Sequence, residues 1–249
     1  MSPSSSPHQV RFPQQTPEDL SQDQEWCEVT LDGETKRIRF HDYGRIYEVP
    51  GLYEHIFYEK LKCESPEVVS DLLLEAVRAA GQDPATMPVL DLGAGNGIVG
   101  EALRERGFNE IVGVDIIPEA GEAAMRDRPD VYADYFVCDM TDPGEEILAK
   151  LQARDFKVMT SVAALGFGDI PPEVFTAAYD LVDDGGFIAF NIKSDFLGED
   201  DDTGFQTLIR DLLKGKGGID LQGRRRYRHR LDVSGDPLFY EALVGIKRA

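Results

Sequence analysis

Val89-Leu90-Asp91-Leu92-Gly93-Ala94-Gly95-Asn96-Gly97 is the stretch from which the rest of the chain can be read. Val89 to Leu92 is a short apolar strand that runs directly into glycines at 93, 95 and 97. Glycine accepts positive φ angles and lets a ligand approach the backbone closely, so a strand feeding such a loop is built to bind something. Asp91 qualifies what that something is. A carboxylate just before the loop suits a ligand with a cationic group.

On both sides the sequence alternates strand and helix. Ser65-Pro66-Glu67 supplies an N-cap, a proline at the first helical position and an early acid. Apolar residues then recur at helical spacing from Val68 to Ala80, and Gly81 closes the helix. After the glycine loop we read a helix at 98–106, a strand at 110–115, a helix at 118–128 and a strand at 135–139. A helix at 143–153, a strand at 156–161, a helix from Pro171-Pro172 to Val182, a turn over 183–186 and a strand at 187–193 follow. Strict alternation predicts a parallel sheet in a single α/β domain. The runs 224–233 and 238–247 break the rhythm. Only Ser234-Gly235-Asp236-Pro237 separates them, too short for a parallel crossover, so they form an antiparallel hairpin.

Residues 95–100, Gly-Asn-Gly-Ile-Val-Gly, match the dinucleotide pattern GxGxxG, which keeps a nicotinamide-dependent oxidoreductase open. In that pattern the first glycine follows the strand at once, so that a pyrophosphate meets the helix N-terminus. Here that register begins at Gly93 and puts Ile98 at the third glycine position. Beginning at Gly95 instead leaves Asp91 unexplained.

Composition narrows the partners. The 249 residues carry 26 Lys and Arg against 46 Asp and Glu, a net charge of −20. Such a surface repels phosphate backbones and anionic membranes, although five arginines cluster within 224–230. Those arginines read as surface partners for the surplus acids, with Arg226, Arg228 and Arg230 on one face of a strand. No apolar run approaches the roughly 20 residues of a membrane span. Three scattered cysteines and four unclustered histidines give no disulfide framework and no metal site, consistent with a reducing cytoplasm. Nor does the N-terminus read as a secretory signal.

Residues 1–24, rich in Ser, Pro and Gln, read as a disordered tail. Residues 25–64 read as a cap: two short strands around Asp32-Gly33, then helical fragments interrupted at Pro50-Gly51. The cap is rich in aromatics, among them Tyr43, Tyr47, Tyr53, Phe57 and Tyr58. These either pack a core or close over a ligand, where aromatic faces attract cations and exclude water.

The segment Asp91, Gly93, Gly95, Gly97 resembles the DxGxGxG motif of the class I S-adenosylmethionine-dependent methyltransferases. The resemblance covers 65–249 and implies a Rossmann-like, doubly wound seven-stranded sheet ending in an antiparallel hairpin. It implies a loop, Gly93, Ala94, Gly95, Asn96 and Gly97, around the amino-acid part of S-adenosylmethionine, with Asp91 favouring its ammonium. Asp115 resembles the acid that binds the ribose hydroxyls, and Asp139 the acceptor for the adenine amino group. Ile116 and Met140 resemble the residues that sandwich adenine. Ser161, at the end of the fourth strand of this domain, and Tyr43, in the cap, complete the expected cofactor set. The Asn/Asp-Pro-Pro-aromatic motif of enzymes that methylate base amino groups is missing after 160–161, so a small-molecule acceptor is expected rather than nucleic acid. His55 and Asp169 are the candidate catalytic residues. Two alternatives stay open: the nicotinamide enzyme, and a binding protein that keeps the fold without catalysis.

Overall fold

The computed structural model describes residues 8–13, 21–165, 170–194, 204–214 and 218–248. Asp169 and the acidic run 199–202 lie outside them. The chain divides into two compact units, residues 1–64 with 228–238, and residues 65–227 with 239–249.

The first unit contains a three-stranded antiparallel sheet of β1 (Gln9–Arg11), β2 (Trp26–Leu31) and β3 (Glu34–Arg39). The β2–β3 turn is the expected one: Asp32 and Gly33 both take positive φ, 51° and 83°, as a two-residue hairpin turn requires. Helices α1 (Tyr43–Tyr47) and α2 (Leu52–Glu54) follow, and a π-helical turn (His55–Lys60) continues α2. Their core gathers Cys27, Val29, Ile38, Phe40, Ile46, Leu52 and Ile56.

Two expectations are corrected in this unit. Part of the supposed disordered tail is ordered, because β2 offers its free edge to the backbone of Gln9–Arg11. Val10 and Phe12 then pack on the core, and the Phe12 ring meets Phe40 edge-on at 6.2 Å. Second, the tip of the C-terminal hairpin belongs to this unit rather than to the domain expected at 65–249. Val233 enters the core, its N–H donates to Glu25 Oε1 at 2.8 Å, and buried Arg230 pairs with the other oxygen of Glu25. Arg230 is thus a core residue and not a surface one.

The second unit is a seven-stranded sheet in the order β6-β5-β4-β7-β8-β10-β9. Its strands are β4 (Val89–Leu92), β5 (Ile111–Asp115), β6 (Asp134–Val137), β7 (Phe156–Ser161), β8 (Val182–Lys193), β9 (Ile219–Leu231) and β10 (Pro237–Lys247). The first five pair in parallel, and β10 runs antiparallel to β8. This is the Rossmann-like sheet with a C-terminal hairpin. The break expected at 183–186 is a bulge inside β8. Pairing jumps from Phe156–Val182 to Val158–Phe187, and Gly185 takes φ 81°.

Among the described residues, six α-helices complete the alternation: α3 (Ser65–Ala79), α4 (Ile98–Glu105), α5 (Pro118–Asp127), α6 (Glu145–Gln152), α7 (Pro172–Asp180) and α8 (Phe205–Lys214). Strand alternation sorts the sheet into two faces. Val89, Ile111, Val158 and Ala189 pack with α3 and α4, and Leu90, Val112, Met159 and Ile188 with α7 and α8. Strand β4 has parallel neighbours on both sides, β5 and β7, reached by crossovers of opposite sense. The crevice at the carboxyl ends of β4 and β7 is therefore the topological switch point, where this architecture places ligands.

Glu25 and Arg230 are 2% and 4% exposed, so removing one charge strands the other. Glu25→Gln should lower stability by about 3–5 kcal/mol in urea unfolding, while the exposed pair Lys150–Glu146 should tolerate Glu146→Gln within about 1 kcal/mol.

Candidate functional site

The glycine loop opens where β4 ends. Gly93 and Ala94 donate their N–H groups to Val114 O at 2.9 and 3.1 Å, which ties the loop to β5. Gly93, Gly95 and Gly97 have φ of 71°, 54° and 89°. At Gly93 space demands glycine as well: a Cβ would lie 2.9 Å from Ala164 and from Ile170. The segment after β7 thus packs directly on the loop that follows β4.

Asp91 lies under the loop, 1% exposed. Its Oδ1 accepts from the Thr160 hydroxyl at 2.7 Å and its Oδ2 from the Tyr132 hydroxyl at 2.8 Å. Burial pushes its carboxyl up to about 6, partly offset by the two hydroxyl donors. Asp115 ends β5 and braces two loops, accepting from Gly95 N and Ile117 N, each at 2.9 Å. Burial raises its carboxyl too, against these backbone donors. An ionised carboxylate accepts about four hydrogen bonds, and the donors to Asp91 and Asp115 leave each short of that number.

Asp139 was expected at the end of a strand, but β6 stops at Val137. The Asp139 side chain is exposed and accepts from Thr141 N and Oγ1, both at 2.8 Å, which holds its carboxyl below the usual range. Ile116 stands 62% exposed after β5, and Met140 is buried. Ser161 ends β7 fully buried, and among the described residues its hydroxyl has no hydrogen-bond partner. Among the described residues, the second unit therefore gathers Asp91, the loop 93–97, Asp115, Ile116, Asp139, Met140 and Ser161 at the ends of adjacent strands.

Tyr43 and His55 belong to the first unit. The Tyr43 ring stacks on Tyr47 at 6.2 Å, and the largely buried His55 shares a 2.6 Å hydrogen bond between Nδ1 and Glu59 Oε2. The arginine cluster is paired: Arg224 with Glu241, Arg225 with Glu75, Arg228 with Glu64 and Arg230 with Glu25. Among the described residues no three His, Cys, Asp or Glu side chains group as metal ligands, and no helix is long and apolar enough to cross a membrane.

Several site residues escaped the sequence reading. Tyr135 donates to Gly95 O at 2.8 Å and Arg128 to Asn96 O at 3.1 Å. Asn191 on β8 accepts from Ala163 N at 2.6 Å, in a segment where Ala163 takes φ 56°. Its amide donates in turn to Ser65 Oγ and Tyr227 OH. No local pattern flags these residues; each acts through a contact distant in sequence.

A family model for the methyltransferase domain matches residues 64–231. The chain belongs to the class I methyltransferase family, whose cofactor is S-adenosylmethionine. Among solved structures it is similar to the N-methyltransferase NodS from Bradyrhizobium japonicum WM9 in complex with S-adenosyl-L-homocysteine, with a TM-score of 0.57 and 12% identity over 84% of this chain and 98% of that one. It is also similar to protein 1320 of Thermoplasma acidophilum, with a TM-score of 0.53 and 13% identity over 84% and 97% of the two chains. At these identities the likeness shows the fold. No curated protein matches the chain.

Because the fold raises the Asp91 carboxyl from 3.8 to about 6, the folded state holds that proton more tightly than the unfolded chain. The resulting penalty is absent below the unfolded value, grows between the two values and is complete above pH 6. Asp91→Asn removes it. The variant's stability relative to wild type should therefore improve by on the order of 3 kcal/mol between pH 4 and pH 8, read from urea unfolding at both.

Proposed function

We propose that this methyltransferase passes the methyl group of S-adenosylmethionine to a nucleophilic O, N, S or C of a small molecule. The observation that carries the cofactor site is the set of acidic, hydroxyl and apolar side chains at or near successive strand ends around a glycine loop. Among the described residues the buried Ser161 hydroxyl lacks a partner; the apolar Ile116 is uncovered, Asp139 is exposed, and the largely buried Asp115 ends β5 beside the loop. These fit the bound group: Asp115 for the ribose hydroxyls, Asp139 for the adenine amine, Ile116 and Met140 for the adenine faces, and Ser161 and the loop 93–97 for the amino-acid end. Asp91 faces the ammonium and would repel a pyrophosphate, which disfavours the nicotinamide reading.

The cofactor, when bound, supplies an activated methyl on a sulfonium. The chain's part is alignment and exclusion of water. Ala163, in a left-handed conformation held by Asn191, shapes the turn that would present the acceptor beside Ser161. A base is needed only for an acceptor that must lose its proton early. Our candidates remain His55, with Glu59 on its Nδ1, and Asp169. Tyr43 is proposed to close over the cofactor. The net charge of −20 supports a small molecule over nucleic acid as acceptor, and three free thiols support a cytoplasmic setting.

Thermal unfolding with S-adenosylmethionine, S-adenosylhomocysteine and NAD(H) in parallel tests the reading. Either adenosyl sulfur compound at 100 times its Kd should stabilise by about 2.7 kcal/mol, or roughly 5–11 °C, and Asp115→Ala should abolish the shift. A shift with NAD(H) alone would overturn the cofactor assignment. Cofactor binding without turnover on any acceptor tried would favour the non-catalytic protein.

A further inference from the structure

Three glycines have no part in the loop itself: Gly100 on α4, Gly113 on β5 and Gly121 on α5. Each leaves room for a tyrosine ring. A Cβ at Gly100 would lie 2.8 Å from the Tyr132 ring. One at Gly113 would lie 2.8 Å from Tyr135 and 3.1 Å from Tyr132, and one at Gly121 would lie 3.2 Å from Tyr135. The two rings meet edge to face at 5.3 Å. Gly100, the third glycine of the GxGxxG match, thus makes way for Val131, whose Cγ1 would lie 2.6 Å away, and for an aromatic ring.

The rings bring their hydroxyls to the cofactor loop. Tyr132 donates to Asp91 Oδ2 at 2.8 Å and lies 3.4 Å from Ala94 O. Tyr135 donates to Gly95 O, and Arg128, itself paired with Glu101, donates to Asn96 O. Three consecutive carbonyls of the loop are thereby reached from residues 128–135, the link after α5 and the start of β6.

We propose that Tyr132 is a positioning residue for cofactor binding: its hydroxyl fixes the Asp91 carboxylate beneath the glycine loop, while Tyr135 and Arg128 fix the shape of the loop. The proposal rests on the loop being the cofactor site. The groups that face Asp91 are the Thr160 hydroxyl from β7, Tyr132 from the segment before β6, Asp115 from β5 and Tyr135 from β6. Asp115 and the burial oppose ionisation, and the two hydroxyl donors favour it. Without the Tyr132 hydroxyl, Oδ2 loses a hydrogen bond of the charge-assisted kind, and the carboxylate protonates at higher pH.

The test is S-adenosylhomocysteine affinity by calorimetry from pH 5 to 8.5, for wild type, Tyr132→Phe, Thr160→Val and Tyr135→Phe, with folding checked by circular dichroism. Wild-type affinity should fall toward tenfold per pH unit below about 6 as Asp91 takes a proton. In Tyr132→Phe the fall should begin about one pH unit higher. Thr160→Val should move it in the same direction, and provides the reading if Tyr132→Phe does not fold. Tyr135→Phe should bind more weakly at every pH with the midpoint unchanged. A Tyr132→Phe midpoint equal to wild type, or a wild-type affinity without pH dependence, overturns the proposal. Absence of wild-type binding at every pH would instead overturn the cofactor reading.

Discussion

A buried carboxylate at the switch point of a parallel sheet is the constraint around which the second unit is organised. Asp91, one residue before the end of β4, has neighbours paired on both sides, and the fold surrounds it with two hydroxyl donors. Burying a charge is expensive unless it is hydrogen-bonded, and here the arrangement leaves the carboxyl near 6. A group that ionises so reluctantly gains most when a cation arrives. The same residue therefore weakens the free protein above pH 6, and under the proposed function it would strengthen the hold on a ligand ammonium.

The glycine loop shows how local and distant demands combine. Positive φ at Gly93, Gly95 and Gly97 sets its path. Tertiary contacts decide whether the path is held. Ala164 and Ile170 close on Gly93 from one side, and Tyr132, Tyr135 and Arg128 hold the carbonyls from the other. Asn191 joins the post-β7 segment to Ser65 at the start of α3 and to Tyr227 on β9. The glycine loop thus packs on the post-β7 segment, and that segment is held by Asn191 with Ala163 in a left-handed conformation.

What was legible in the sequence follows from this division. The alternation of elements, the hairpin and the acids at or near the ends of β4, β5 and β6 are written in short-range patterns, and they were read close to where they lie. Asp139 reads as a strand end and lies two residues beyond it: the Cys138 N–H makes the last bond to β5, at Asp115 O, and Asp139 turns to bond Thr141 instead. Tyr132 bonds a residue 41 positions away, and Arg230 one 205 positions away. No periodicity announces such partners, which is why Arg230 read as surface and the two tyrosines went unnoticed. The supposed tail failed differently. Its composition cannot make a core, but Gln9–Arg11 needs none of its own, since the edge of β2 supplies the hydrogen bonds.

The central claim is that Asp91 meets the cofactor's ammonium as an ion. Counting protons on binding tests this most directly, by calorimetry of S-adenosylhomocysteine at pH 5.5 in buffers of differing ionisation enthalpy. With a carboxyl near 6 in the free protein, binding should release well over half a proton per site, roughly 0.7 by simple titration. Binding with no proton released would contradict the account, and would mean that the carboxylate beneath the loop serves the fold alone.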